Sequence, residues 1–410
     1  MSTVQPRLTE HDARNADSSG SLPLAGFRIV EFGQYIAVPG AAQVLLDQGA
    51  TVVKVEPPGG EACRNLAGLG PAMFNAYNRG KRMVELDLAA EADRPRALAL
   101  VSDADVVLSN LKPGALERYG LSPREIHRRN PSAVILTLSG FGEEGHLSRR
   151  PGLDIAAQAE SGIMWVTGSA GDEPQRVGFT VVDAASAMAA AQAVTAALLQ
   201  RSRTGRGTHI RISLWDVALH LQAAGWMDWL LTGDEPVRKG NGQPSAAPAA
   251  DVVRVRDGYV VISAYMPRPW QALCDAIDRP DIAADPRFAT STDRARHRPA
   301  LHAALAAALA ELDREEVVNR LSSVGVVVGS IRDYPDAFRA RTSSPGSVFL
   351  KAPGDGPVTH LVGSPFMWDG VAPHPHPPRP LGADTALLDL DPSELWREAA
   401  APLVTKKEES

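Results

Sequence analysis

Two strand-like runs bracket one helix near the start of the chain, and this spacing restricts the fold more than any other feature. Gly26-Phe-Arg-Ile-Val-Glu-Phe32 is followed by Ala37 to Gln48, where Ala41, Val44 and Leu45 recur at helical spacing. Thr51-Val-Val-Lys-Val-Glu56 then reads as a second strand. A strand, helix, strand unit this short favours parallel pairing with a right-handed crossover. The alternation continues with a helix over 91–102, a strand over 104–108, a helix over 122–129 and a strand over 133–139.

Further on, Asp183 to Arg201 predicts an alanine-rich helix stopped by Arg203-Thr-Gly-Arg-Gly207. His209-Ile-Arg-Ile-Ser213 reads as a strand and Trp215 to Leu231 as one long helix. Composition shifts at Lys239-Gly-Asn-Gly-Gln-Pro244, and residues 251–264 predict a hairpin around Asp257-Gly258. Helices are expected over 268–277, 299–312 and 314–323, then strands near 347–351 and 357–363. A chain of 410 residues is long enough for two domains. The expected fold is α/β: a Rossmann-like large domain with a parallel sheet over 23–225, and a smaller α+β domain over 226–335. Residues 336–410 return to the large domain and end in a tail, and residues 1–22 form a flexible tail.

The net charge of −6 gives no support to nucleic-acid binding. No apolar run approaches the ~20 residues of a membrane span, and residues 1–22 contain no apolar h-region, so a cytoplasmic protein is expected. Cys63 and Cys274 offer neither a disulfide framework nor a zinc pattern. His374 and His376 lack a third ligand, and no metal site is expected. His209 alternates with Ile210 and Ile212 as a strand-surface histidine would. No G-x-S-x-G motif marks a serine nucleophile. Gly140-Phe-Gly-Glu-Glu-Gly145 has dinucleotide-fingerprint spacing, but Pro151-Gly152 leaves no room for the helix that should begin inside it.

Two features point to chemistry. The loop 57–72 lies at the carboxyl end of a strand, where open α/β sheets bind ligands. Lys54, Arg64, Arg79, Lys81, Arg82 and Arg118 sit near strand ends or loops, where they are candidates to grip phosphates; each taken alone better suits a solvated face. The second feature is Asp154, which follows the Pro151-Gly152 break and opens a small-residue helix. A carboxylate in that setting suits a nucleophile, and it also suits a helix cap.

The stretches GATVVKVEPPGGEACR (49–64), NRGKRMVELDL (78–88), NLKPGALERYGL (110–121), SGFGEEGHLSRRPGLD (139–154), QAESGIMWVTG (158–168) and RTGRGTHIRISLWDVAL (203–219) occur in a telling order. With DGYVVI (257–262), VGSPFMWDG (362–370) and PLGADT (380–385), they make the chain resemble the family III CoA transferases from about Leu24 to Thr385. The resemblance implies a catalytic aspartate, placed at Asp154, and a CoA site at Gln34, Lys54, Arg64, Asn78, Arg79, Lys81, Arg82, Asn110 and Arg118. It implies a glycine lid at Gly240, Asn241, Gly242 and Gln243, an interlocked homodimer, and acyl-CoA with a small carboxylic acid as substrates. No tightly bound cofactor is implied. Leu153 stands where transferases often carry an aromatic residue, Val38 replaces a glycine and Val327 a proline. The alternative within the superfamily is an α-methylacyl-CoA racemase, whose second carboxylate Asp183 matches; its Gly-His-Asp motif reads Gly152-Leu153-Asp154 here, and leucine moves no proton. A CoA-binding protein without turnover is the other alternative.

Overall fold

The computed structural model describes residues 22–242, 250–264, 266–353, 358–368 and 375–401. They fall into two compact units. The first holds the residues up to Ser161, Gly178–Ala223 and those from Ser344 onward; the second holds Gly162–Val177 and Ala224–Ser343.

The first unit is built on six strands: β1 (Arg28–Phe32), β2 (Thr51–Glu56), β3 (Arg82–Glu85), β4 (Val106–Ser109), β5 (Val134–Ser139) and β6 (His209–Ser213). Their order is β3-β2-β1-β4-β5-β6 and every pairing is parallel. This is the order of the doubly wound sheets that bind nucleotides, with its reversal between β1 and β4. Val30, Val53, Val107 and Ile135 sit in one core with Leu100, Ile126 and Trp396, so helices cover this face. Sequence pattern gives no warning of β3, because the strand begins inside the basic cluster at Arg82; pairing of those charges makes its burial possible.

The opposite face is covered by the helices Ala37–Asp47 and Val181–Thr204. These meet closely at Gly40, where an added Cβ would lie 2.8 Å from the Ala187 Cβ and 3.3 Å from the Tyr77 ring. The second helix corrects one expectation: by length and composition it is apolar enough to cross a membrane. Its buried residues, Val182, Ala187, Ala190, Ala191 and Val194 among them, are those of a helix packed in a protein core. The helix expected over 215–231 is two, Leu214–His220 and Ala223–Thr232. At the break, the Gln222 amide donates to the carbonyls of Ser161 (2.9 Å) and Ala218 (3.0 Å).

The C-terminal return to this unit closes the edge at β3. Asp384 accepts from the Met83 N–H at 2.9 Å and Thr385 Oγ1 from the Glu85 N–H at 2.9 Å. An edge so occupied has no open ladder to offer another chain.

The second unit carries the antiparallel sheet β7 (Ala250–Val255), β8 (Gly258–Ser263) and β9 (Val327–Ser330), with helices packed over Val253, Ile262, Leu273, Leu305 and Leu321. Gly162–Val177 belongs here, which the sequence pattern does not indicate. Trp165 Nε1 donates to Pro236 O at 3.1 Å, and the Gly240 N–H to Gly168 O at 3.0 Å. Both cysteines are buried free thiols, and burial pushes each up to about 11.

Candidate active site

Asp154 reaches its place through a crossing of two glycines. Gly140, just after β5, and Gly152 approach so closely that a Cβ on either would lie 2.5 Å from the other's Cα. No side chain fits there, and the contact sets the start of helix Asp154–Glu160 beside the carboxyl end of β5. The carboxylate is 5% exposed and fully engaged. Its Oδ2 accepts the N–H groups of Val182 (2.8 Å) and Asp183 (3.1 Å), and its Oδ1 accepts Gln158 Nε2 at 2.5 Å. The residue preceding the long helix, Thr180, makes no side-chain cap. Asp154 therefore opens one helix and caps another, satisfying orphan N–H donors of Val181–Thr204.

This places a second carboxylate next to the first. Asp183 lies in the first turn of the long helix, and among the described residues no donor is bonded to its side chain. Burial first, and then the charge of Asp154, push the Asp183 carboxyl up to about 7. Tyr77 faces the same point: burial and the charge of Asp183 both raise its hydroxyl. Like charges in one desolvated place produce this separation of roles between two carboxylates.

Outside β1, β2 and β3 lies a cavity of about 150 Å³, lined by Gly33, Gln34, Pro57, Leu88, Leu111 and Tyr119 among others. Gln34 is among the residues lining this hollow. Asn110 instead clasps Gln34, accepting its N–H and donating to its carbonyl, both at 2.9 Å. Arg118 is exposed, one residue before Tyr119.

The other basic candidates turn inward, and their geometry assigns them structural partners in place of phosphate. Lys54 is fully buried between Glu31 (2.8 Å), Glu61 (3.0 Å) and Gly33 O (2.8 Å). Lys81, equally buried, donates to Glu31 (2.6 Å), Pro39 O (2.9 Å) and buried Asn78 (3.0 Å). Burial opposes both ammonium charges. The carboxylates outweigh it at Lys54, which is raised, whereas Lys81 falls to about 8. Arg79 pairs with Asp47, and Arg82 donates to Ala399 O (2.8 Å) and Glu398 O (3.2 Å), holding the last helix. Arg64 forks onto Glu56 at 2.7 Å through two nitrogens, with its guanidinium carbon 4.0 Å from the Phe74 ring centroid.

A further hollow of about 270 Å³ is lined by Ser109, Lys112, Thr137, Glu143 and His209. His209 Nε2 lies 2.8 Å from Thr137 Oγ1, so this histidine is tied to the sheet. Gly240, Asn241 and Gly242 belong to the second unit. Gln243 and His374 lie outside the described residues. Among the described residues no group of three His, Cys, Asp or Glu side chains is placed to hold a metal ion.

The buried pair has a measurable cost. A carboxyl raised in the folded state contributes stability that is full below the unfolded value of about 4 and is lost as pH rises through about 7. Asp183→Asn should therefore melt at higher temperature than the parent at pH 8, by roughly 1–3 kcal/mol of stability, with a smaller advantage at pH 5. An equal difference at both pH values would contradict a raised Asp183.

Comparison with known proteins agrees with this geometry. Residues 24–385 match CoA-transferase family III. The chain is 39% identical to the probable fatty acyl-CoA transferase Rv3272 of Mycobacterium tuberculosis over 76% of this chain and 82% of that protein. It is 34% identical to the acetyl-CoA:oxalate CoA-transferase of Acetobacter aceti, covering 93% and 96%. A CAIB/BAIF family protein from Brucella suis superposes with a TM-score of 0.80 at 31% identity, covering 92% of this chain and all of the other. With six parallel strands, a hollow at their carboxyl ends and two carboxylates at one helix start, the chain belongs to CoA-transferase family III and is a CoA transferase.

Proposed function

We propose that the reaction proceeds through a covalent aspartyl intermediate, and that Asp183 is the nucleophile. Sequence alone points to Asp154, but the hydrogen bonds favour its neighbour. The Asp154 carboxylate already accepts two backbone N–H groups and the Gln158 amide, so its oxygens are committed to holding the helix start and not free to attack. Asp183 has the opposite character: it is desolvated, unbonded among the described residues and poised near neutrality. That contrast is the observation that carries the assignment.

CoA enters at the hollow by Gln34, Leu111 and Tyr119. Gly33 and Gln34 on its wall lead through Tyr35 and Ile36 into helix Ala37–Asp47, which packs at Gly40 against the helix of Asp183. A carboxylate oxygen of Asp183 attacks the thioester carbon, the C–S bond breaks, and a mixed anhydride and CoA thiolate result. The thiolate then attacks the Asp183 carbonyl, releasing the donor acid and leaving an aspartyl-CoA thioester. The acceptor carboxylate runs the same steps in reverse, so one thioester is made for each one broken. The charge of Asp154 keeps Asp183 basic, and the Tyr77 hydroxyl is an O–H donor for the oxyanion of each tetrahedral stage.

We propose further that the protein works as an interlocked homodimer. Trp226, Met227, Leu230 and Leu231 lie exposed on a helix with no buried residue, an apolar surface that a second copy would cover.

Three measurements test these readings. Asp183→Ala should lower kcat by at least about 10⁴-fold, whereas Asp154→Asn should keep more than roughly a hundredth of it. Turnover should fall on the acid side as Asp183 takes up its proton near pH 7, and Asp154→Asn should move that limb to lower pH. An inactive Asp154→Asn with an active Asp183→Ala would reverse the roles. Sedimentation should show a dimer that persists on dilution; a monomer in reversible exchange at about micromolar concentration would contradict interlocking.

A further inference from the structure

Every connection from side chains to the backbone of one loop points to a device for fixing it. After β1 the chain runs Gly33-Gln34-Tyr35-Ile36, and the first two of these residues line the 150 Å³ hollow. Gly33 O accepts Lys54 Nζ at 2.8 Å. Gln34 is bonded through both its N–H and its carbonyl to Asn110. The Tyr35 N–H donates to Glu61 Oε2 at 2.7 Å. Tyr35 holds φ at +63°, in the left-handed region that a bulky L side chain adopts only at a cost.

Glu61 comes from the stretch after β2, whose Pro57 also lines the hollow. It follows Pro57 and the two glycines after β2, is 1% exposed, and pairs with Lys54 at 3.0 Å. Its own N–H donates to Glu56 Oε2 at 3.1 Å, on the carboxylate that Arg64 grips. The Tyr35 side chain packs in turn on Cys63, Phe74 and Met83, which follow in the same stretch. Backbone and side chain of Tyr35 are therefore both tied to residues that follow β2 in the chain.

We infer that Glu61, held by Lys54, is a positioning residue for CoA binding: it locks Tyr35 in its left-handed conformation and thereby fixes the loop that forms one wall of the CoA hollow. Lys54, Lys81 and Glu31 form the buried base on which the lock stands. Burying a carboxylate is costly without an opposite charge beside it, and Lys54 supplies one at 3.0 Å. This inference rests on the assignment of that hollow to CoA.

The test is a double-mutant cycle read by calorimetric titration with CoA on the full-length protein, with circular dichroism confirming the fold of each variant. Glu61→Gln keeps an acceptor for the Tyr35 N–H but loses the ion pair to Lys54; it should weaken CoA binding by roughly ten-fold or more. Tyr35→Gly removes the left-handed strain, so Glu61→Gln should cost clearly less in that background than in the parent. Equal losses in both backgrounds, or no loss in either, would overturn the lock. The pH at which turnover falls on the acid side should not move in Glu61→Gln, which separates a loop effect from one on Asp183. Hydrogen exchange of the Tyr35 amide probes the lock in the unsubstituted protein: slow exchange, slowed further by CoA, is expected, and open-loop exchange with and without CoA would contradict it. A parent protein that bound no CoA would instead remove the assignment of the hollow, and the lock with it.

Discussion

The carboxylate of Asp154 bonded to the N–H groups of Val182 and Asp183 is the interaction on which the site depends. It joins the end of β5 to the start of the longest helix through two short hydrogen bonds. In doing so it sets a negative charge beside Asp183, which is itself half-buried. The helix start favours anions. One carboxylate takes the available N–H donors and the other is left without them. A fold that caps its central helix from outside has, by the same act, raised the basicity of the next carboxylate along.

A similar economy governs the cations. Burying Lys54, Lys81 and Arg79 is expensive unless each finds an opposite charge with good geometry. Glu31, Glu61 and Asp47 provide it, and backbone carbonyls at Gly33 and Pro39 take the remaining donors. These charges lie under the loop after β1, with Lys54 and Lys81 bonded to its backbone or to the start of the helix that follows. The basic cluster so visible in the sequence thus supports the loop after β1 from behind. Arg118 is exposed, one residue before Tyr119.

The sheet is legible in the sequence because period and punctuation agree along most of it. The strand over 51–56, the helix from Ala37 and the strand at His209 stand where apolar spacing places them. β3 is hidden because its burial depends on ion pairs that only the tertiary structure assembles. The break at Leu221 and Gln222 is hidden for a related reason, since apolar spacing runs through it and the Gln222 contact with Ser161 is made in space. At the site, a carboxylate after a Pro-Gly break has two readings, nucleophile and cap. The hydrogen bonds support the cap, for a helix other than its own. Asp183 reads in the sequence as a helix-starting residue, because the burial and the neighbouring charge that alter it come from residues about thirty positions away in the chain.

Whether Asp183 carries the covalent intermediate is decided most directly by trapping it. Incubation with an acyl-CoA donor and no acceptor, followed by hydroxylamine and by borohydride in separate samples, converts an aspartyl-CoA thioester to a hydroxamate and to a homoserine residue. Peptide mass mapping then locates the change. Both products are expected in the peptide containing Val182-Asp183-Ala184, with Asp154 unmodified. Modification at Asp154, or neither product under conditions of demonstrated turnover, would contradict the role assigned to Asp183.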